Sequence, residues 1–116
     1  MHEPAPFQVT SEARVCIRRI LRPPLGMEPA LILVFGFDER DGRGGSKAKF
    51  EGEHFMIGFN SFGQREQWPR FDLCGSNILI SPDALERLRG KTLALRAYNV
   101  STGAARKEIR ELLVVA

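Results

Sequence analysis

The chain predicts a mainly β fold, one small domain of five to seven strands with one or two short helices. Three observations carry this expectation. Residues 30–37, 50–59 and 91–99 are largely apolar runs of strand length, and the last two alternate. Short polar stretches containing glycine separate the runs. Only residues 81–90 show a complete helix signature. An α+β arrangement is the alternative, and it depends on the character of residues 10–22. With 116 residues, 43% of them hydrophobic, there is room for one core and not for two.

Residues 1–8 contain Pro4 and Pro6 and read as a flexible tail, leaving 9–116 as the globular domain. Residues 10–22 fit two patterns. As a helix capped by Ser11, the segment places Ala13, Cys16, Ile17, Ile20 and Leu21 on one face. As a strand, it sets Ala13, Val15 and Ile17 against Arg14, Cys16 and Arg18. The helix accounts for more positions, and Pro23-Pro24 would end it.

Residues 30–37 include Leu-Ile-Leu-Val-Phe, apolar on both faces, as a central strand requires. Asp41-Gly42-Arg43-Gly44-Gly45-Ser46 reads as a loop. Residues 50–59 return as a strand, with Phe55, Ile57 and Phe59 facing the core and His54, Met56 and Gly58 opposite. Residues 71–73 and 77–80 are short strands around Gly75. Ser81-Pro82-Asp83-Ala84-Leu85-Glu86-Arg87-Leu88-Arg89-Gly90 follows as a capped helix of about two turns. Residues 91–99 form a strand, and the Leu112-Leu113-Val114-Val115 tail is expected to pair back on it. A β-sandwich accommodates these elements.

The order of elements resembles the HesB-like domain of the A-type iron–sulfur carrier family. Its specific part is Phe71-Asp72-Leu73-Cys74-Gly75-Ser76-Asn77-Ile78-Leu79-Ile80-Ser81-Pro82-Asp83-Ala84-Leu85-Glu86-Arg87-Leu88-Arg89-Gly90-Lys91-Thr92-Leu93, similar to the family's strand, short helix and strand. The resemblance implies a leading helix at residues 11–21 and a strand pair at 30–37 and 50–59. The family's ligands are a cysteine after the first strand and a Cys-x-Cys pair near the carboxyl end. Here those places read Phe35-Gly36-Phe37-Asp38-Glu39-Arg40 and Glu111-Leu112-Leu113-Val114-Val115-Ala116. No ligand carries over, so the resemblance implies a HesB-like domain that has lost cluster ligation.

Composition narrows the function classes. There are 2 Cys and 2 His, too few for a disulfide framework, a cysteine-rich zinc module or a self-contained iron–sulfur ligand set. The start, Met-His-Glu-Pro-Ala-Pro-Phe, lacks the pattern of a secretory signal, and no run approaches the roughly 20 apolar residues of a membrane span. The expected location is the cytoplasm, with both cysteines as free thiols. Lys and Arg number 17 and Asp and Glu 14, a net charge of +3 that permits an anionic partner without requiring one.

Individual candidates divide by residue type. Cys74 sits in a loop and Cys16 on the apolar stripe, and neither has a local group to activate it. His54 reads as a solvated strand residue, and His2 falls in the tail. The loop at residues 38–45 lacks the alternating ligands of a calcium loop and the Gly-Lys-Ser/Thr ending of a phosphate loop. No Gly-x-Ser-x-Gly elbow occurs, so enzyme chemistry rests only on carboxylates such as Asp38 and Glu53. The basic cluster of Arg14, Arg18, Arg19 and Arg22 suits an acidic partner, a phosphate backbone or a solvated face. Phe62 and Trp68, with Arg65 and Arg70, suit single-stranded nucleic acid through stacking and phosphate neutralisation. The function expected is a non-enzymatic, cytoplasmic protein-interaction module acting through Arg14, Arg18 and Arg22. Nucleic-acid binding is the alternative. No cofactor, metal or membrane is expected, and self-pairing to cover an edge strand makes a homodimer an expectation.

Overall fold

The apolar runs become strands, longer than their sequence signals. In the computed structural model, residues 3–22, 26–40, 46–61, 67–101 and 107–116 are described. They form β1 (Gln8–Val9), α1 (Ser11–Ile20), β2 (Met27–Arg40), β3 (Ser46–Ser61), β4 (Arg70–Leu73), β5 (Ser76–Ile80), α2 (Pro82–Leu88), β6 (Thr92–Ser101) and β7 (Lys107–Val115). All seven strands join one mixed sheet in the order β1-β6-β7-β3-β2-β5-β4. Three antiparallel hairpins, β2–β3, β4–β5 and β6–β7, supply most of it. The two parallel contacts, β1–β6 and β2–β5, join non-adjacent parts of the chain. The fold is mainly β, in one curled sheet and not in two stacked ones.

The ambiguous segment is a helix, but its cap is not Ser11. Thr10 caps α1, its Oγ1 accepting a hydrogen bond from the Ala13 N–H at 3.2 Å. The cause is tertiary. The Thr10 N–H donates to the Leu93 carbonyl, holding Thr10 extended at the end of β1, so the helix starts one residue later. Ala13 and Ile17 are fully buried, while Ile20 on the expected stripe is exposed. Ser81 caps α2 as its sequence indicates. The Ala84 N–H is shared between Ser81 Oγ and Asp83 Oδ1, and the Ser81 hydroxyl donates to Asp83 Oδ1 at 2.6 Å.

Strand β3 does more than return β2. It bridges β7 at Phe55–Leu113 and β6 at Lys49–Ser101, antiparallel in both cases. Strands β6 and β7 are antiparallel to each other, so β3 and the β6–β7 hairpin bend relative to each other between the two bridges. Two features mark the bend. The β2–β3 register shifts between Phe35 and Phe37, where one β2 residue, Gly36 with φ +87°, stands opposite two of β3, Glu51 and Gly52, a bulge in β3. Opposite it, the Phe50 ring lies so close over Gly52 that a Cβ there would come within 2.7 Å of it. The buried side of the strands changes along their length. Leu93 is buried near one end of β6 and Val100 near the other, positions of opposite parity. The helices cover the first end with Ile17 and Leu88, in a cluster that includes Leu31, Phe55 and Leu93. At the far end the Phe50 ring meets Tyr98 and His54 edge-on, at 5.0 and 5.6 Å between centroids. The radius of gyration, 15.2 Å, exceeds the roughly 13 Å of a compact domain this long.

Truncating Ile17 or Leu31 to alanine is expected to cost about 2–5 kcal/mol, because both side chains are fully enclosed. Ser81→Ala should cost about 1 kcal/mol through loss of the cap. Urea denaturation of the three variants checks the ranking, and equal losses for Ile17→Ala and Ser81→Ala would contradict it.

Candidate functional site

Residues 3–9, expected from sequence to be mostly tail, run along the sheet. Asp72 N–H donates to the Glu3 carbonyl at 2.8 Å, and Ala5 N–H donates to the Asp72 carbonyl at 3.0 Å. Gln8 N–H donates to Lys91 and Gly90 N–H to Pro6, both at 2.9 Å. One short segment thus touches both β4 and the start of β6. Beside it opens a cleft of about 480 Å³ lined by Pro4, Phe7, Arg14, Asp72, Cys74 and Gly75, among others.

The position of Cys74 follows from a two-residue hairpin. Leu73 pairs with Ser76, and Cys74 and Gly75 take φ of 53° and 83° between them. Positive φ at both central positions defines a type I′ turn, which matches the twist of a hairpin. Asn or Gly is the usual first residue of that turn, so cysteine there carries backbone strain. The turn brings the half-buried Cys74 up to α1. Burial pushes the thiol above its ordinary pKa, while Arg14 and Arg18 pull against that shift and Asp72 adds to it. No base lies near this cysteine in the sequence. The two arginines that influence it are about sixty positions away in the chain, so no spacing rule reveals them.

The remaining candidates separate. Arg14, Arg18, Arg19 and Arg22 are all exposed, and among the described residues no ion pair engages them. Val15, beside them, is 56% exposed. His54 is a correction. Only 4% of it is exposed, its ring meets that of Phe50 edge-on, and its Nδ1 lies 3.5 Å from the Gly52 carbonyl oxygen. His54 and Cys16 share a mainly apolar groove with Ile20, Met56 and Leu112, and Arg110 and Glu111 also line it. Burial raises the Cys16 thiol pKa, Glu111 adds to that and Arg19 opposes it. Glu53 pairs with Arg87 at 3.0 Å. Asp38 stands opposite Lys49 in the β2–β3 register. Among the described residues no cluster of three or more His, Cys, Asp or Glu forms that could hold a metal.

The aromatic and basic set is dispersed. His2, Phe62 and Arg65 lie outside the described residues, as do Pro23, Pro24, the loop at 41–45 and the Thr102-Gly103 turn. Trp68 is half-buried. Arg70 forms two hydrogen bonds to Glu28, at 2.9 and 3.3 Å, and the Glu28 side chain is only 14% exposed. Strand β5 stands between the two residues, so the pair reaches across the sheet. Glu28 carries no signal in the sequence, because nothing in a chain marks an ion pair spanning 42 positions.

Among the described residues no helix is long and apolar enough to cross a membrane. No family model matches the chain, and neither a curated protein nor a solved structure does.

Two outcomes follow from this geometry. Cys74 should react with neutral iodoacetamide at pH 7 more slowly than a free peptide thiol, since a raised pKa leaves less thiolate. Arg14→Gln removes a favourable charge, so it should slow the reaction further and move the inflection of its pH–rate profile upward. An unchanged profile would show that Arg14 does not act on the thiol. Cys74→Asn should hold or raise the thermal midpoint, because asparagine tolerates the left-handed conformation at less cost.

Proposed function

We propose that this chain is a non-enzymatic protein-interaction module that docks an acidic partner segment on the exposed face of α1. The observation that carries this reading is the set Arg14, Arg18, Arg19 and Arg22, exposed and without ion pairs among the described residues. Arg14 and Arg18 are four apart, about 6 Å along the helix axis. Their repulsion works against the helix by a few tenths of a kcal/mol. Exposed Val15 adds an apolar contact on the same surface. Guanidinium groups suit carboxylates because their planar fork makes two parallel bonds.

The HesB-like reading belongs to this proposal. The order α1, β2–β3, then β5–α2–β6 supports a relative of that domain, and the absence of cysteine from residues 35–40 and 111–116 supports one that no longer ligates a cluster. Nucleic acid is the competing partner. Its support is weaker, since Arg70 is engaged by Glu28 and Trp68 is half-buried.

Fluorescence anisotropy with a labelled oligoglutamate peptide, run beside labelled oligo-dT, tests the proposal. Arg14→Glu with Arg18→Glu should weaken peptide binding at least about tenfold, the scale of a lost charged contact. Arg14→Glu alone should raise stability by about 0.5 kcal/mol, because it creates a Glu–Arg pair four residues apart near the helix start. Binding of oligo-dT in preference to the peptide would instead select the nucleic-acid reading.

A further inference from the structure

Strand β2 has 14 residues, but its neighbour on one side is short. Strand β5 pairs with it only at Ala30 and Leu31, after which the chain turns into α2. From Leu33 onward β2 has β3 on one side and, among the described residues, no strand on the other. The direction of its free backbone groups follows from one bond. The Ser81 N–H donates to the Leu31 carbonyl, so Leu31 faces β5. Backbone groups alternate sides along a strand. Ile32 and Val34 therefore bond to β3, while the N–H and C=O of Leu33 and Phe35 point to the open edge.

This edge conflicts with its own side chains. Ile32, Leu33, Val34 and Phe35 are apolar on both faces, the composition of a strand with neighbours on each side. Natural edge strands are blunted by charge, proline or a bulge. Here the register irregularity comes only after Phe35, with its extra residue on β3, and no charge or proline interrupts the four β2 residues before it. Phe35 is 71% exposed.

We infer that two copies of this chain pair through the open edge of β2, antiparallel about a two-fold axis at Val34. An open row of alternating donors and acceptors selects an extended backbone as its partner, and the second copy presents the same row. In this register Leu33 lies opposite Phe35 of the second copy, and Phe35 opposite its Leu33. Each pair exchanges two N–H to C=O bonds, so four bonds form and every edge-facing group of both residues is used. Val34 lies opposite its own counterpart. Each Phe35 gains an apolar neighbour across the pair. The segment carries no charge, so the net +3 of each copy does not place like charges in contact. The contact is small, which makes a weak, concentration-dependent dimer.

Sedimentation equilibrium of the full chain tests this. The apparent mass should rise from 13.0 kDa towards twice that value as concentration approaches about 1 mM. Phe35→Pro removes an edge-facing donor without breaking a β2–β3 bond, so it should leave the circular dichroism unchanged and abolish the rise. Val34→Cys supplies an independent reading, because residues directly opposite in such a pair bring their Cα atoms within disulfide range. Mild oxidation of Val34→Cys should give a dimer whose disulfide maps to position 34 in both copies. Three results would each overturn the inference: a monomer throughout, a dimer indifferent to Phe35→Pro, or no 34–34 disulfide.

Discussion

The fold depends on the backbone hydrogen bonds of residues 3–10. A sheet of seven strands leaves two edges, and unpaired edges are costly and reactive. Here one extended segment satisfies part of both. Glu3 and Ala5 bond to Asp72 on β4, while Gln8 and Thr10 bond to the carbonyls of Lys91 and Leu93 at β6. The same bonds hold Thr10 extended, so it caps α1, and they set where the helix begins. Ala13 and Ile17 then enter the core, and Arg14 comes to the cleft beside Cys74. The candidate site is in this sense a by-product of edge closure. The segment that seals the sheet also delivers the basic helix to the hairpin turn.

The second constraint is the bend in β3. A strand antiparallel to both members of a hairpin cannot run straight alongside it, and the bulge of Glu51 and Gly52 opposite Gly36 lies between its two bridges to that hairpin. Its consequence is burial on both sides. Helices cover the core at one end, and Phe50, His54 and Tyr98 meet at the other. Strand β5 ends where the chain turns into α2, so beyond Leu31 β2 has no described strand on that side.

Much of the fold was legible because its causes are local. The Ser81-Pro82-Asp83 start of α2 works through groups within three residues of one another, and the structure has it at the expected place. The tail pairs along β6, as its apolar residues of strand length indicate. The helix at residues 11–20 was only favoured, since Ala13 and Ile17 satisfy both periods. Other features escaped for one reason: they depend on distant partners. The cap moved from Ser11 to Thr10 because of a bond to Leu93. His54 is buried against the Phe50 ring, although its neighbours Glu53 and Met56 are exposed. The Arg70–Glu28 pair and the approach of Arg14 and Arg18 to Cys74 join residues far apart in the chain.

What the sequence by itself determined is the mainly β class, the two-turn helix α2, the hairpin partners, and the set of cysteines, histidines and arginines available for chemistry. Periodicity, capping and composition act within a few residues, so they can be read without coordinates. What only the tertiary structure decided is which of those groups meet. It separated Cys74 from His54, assigned Arg70 to Glu28, and left the α1 arginines exposed beside the cleft. The physical reason is that register and strand curvature are global properties. Each is set by the summed pairing of the whole sheet, and no window of sequence contains it.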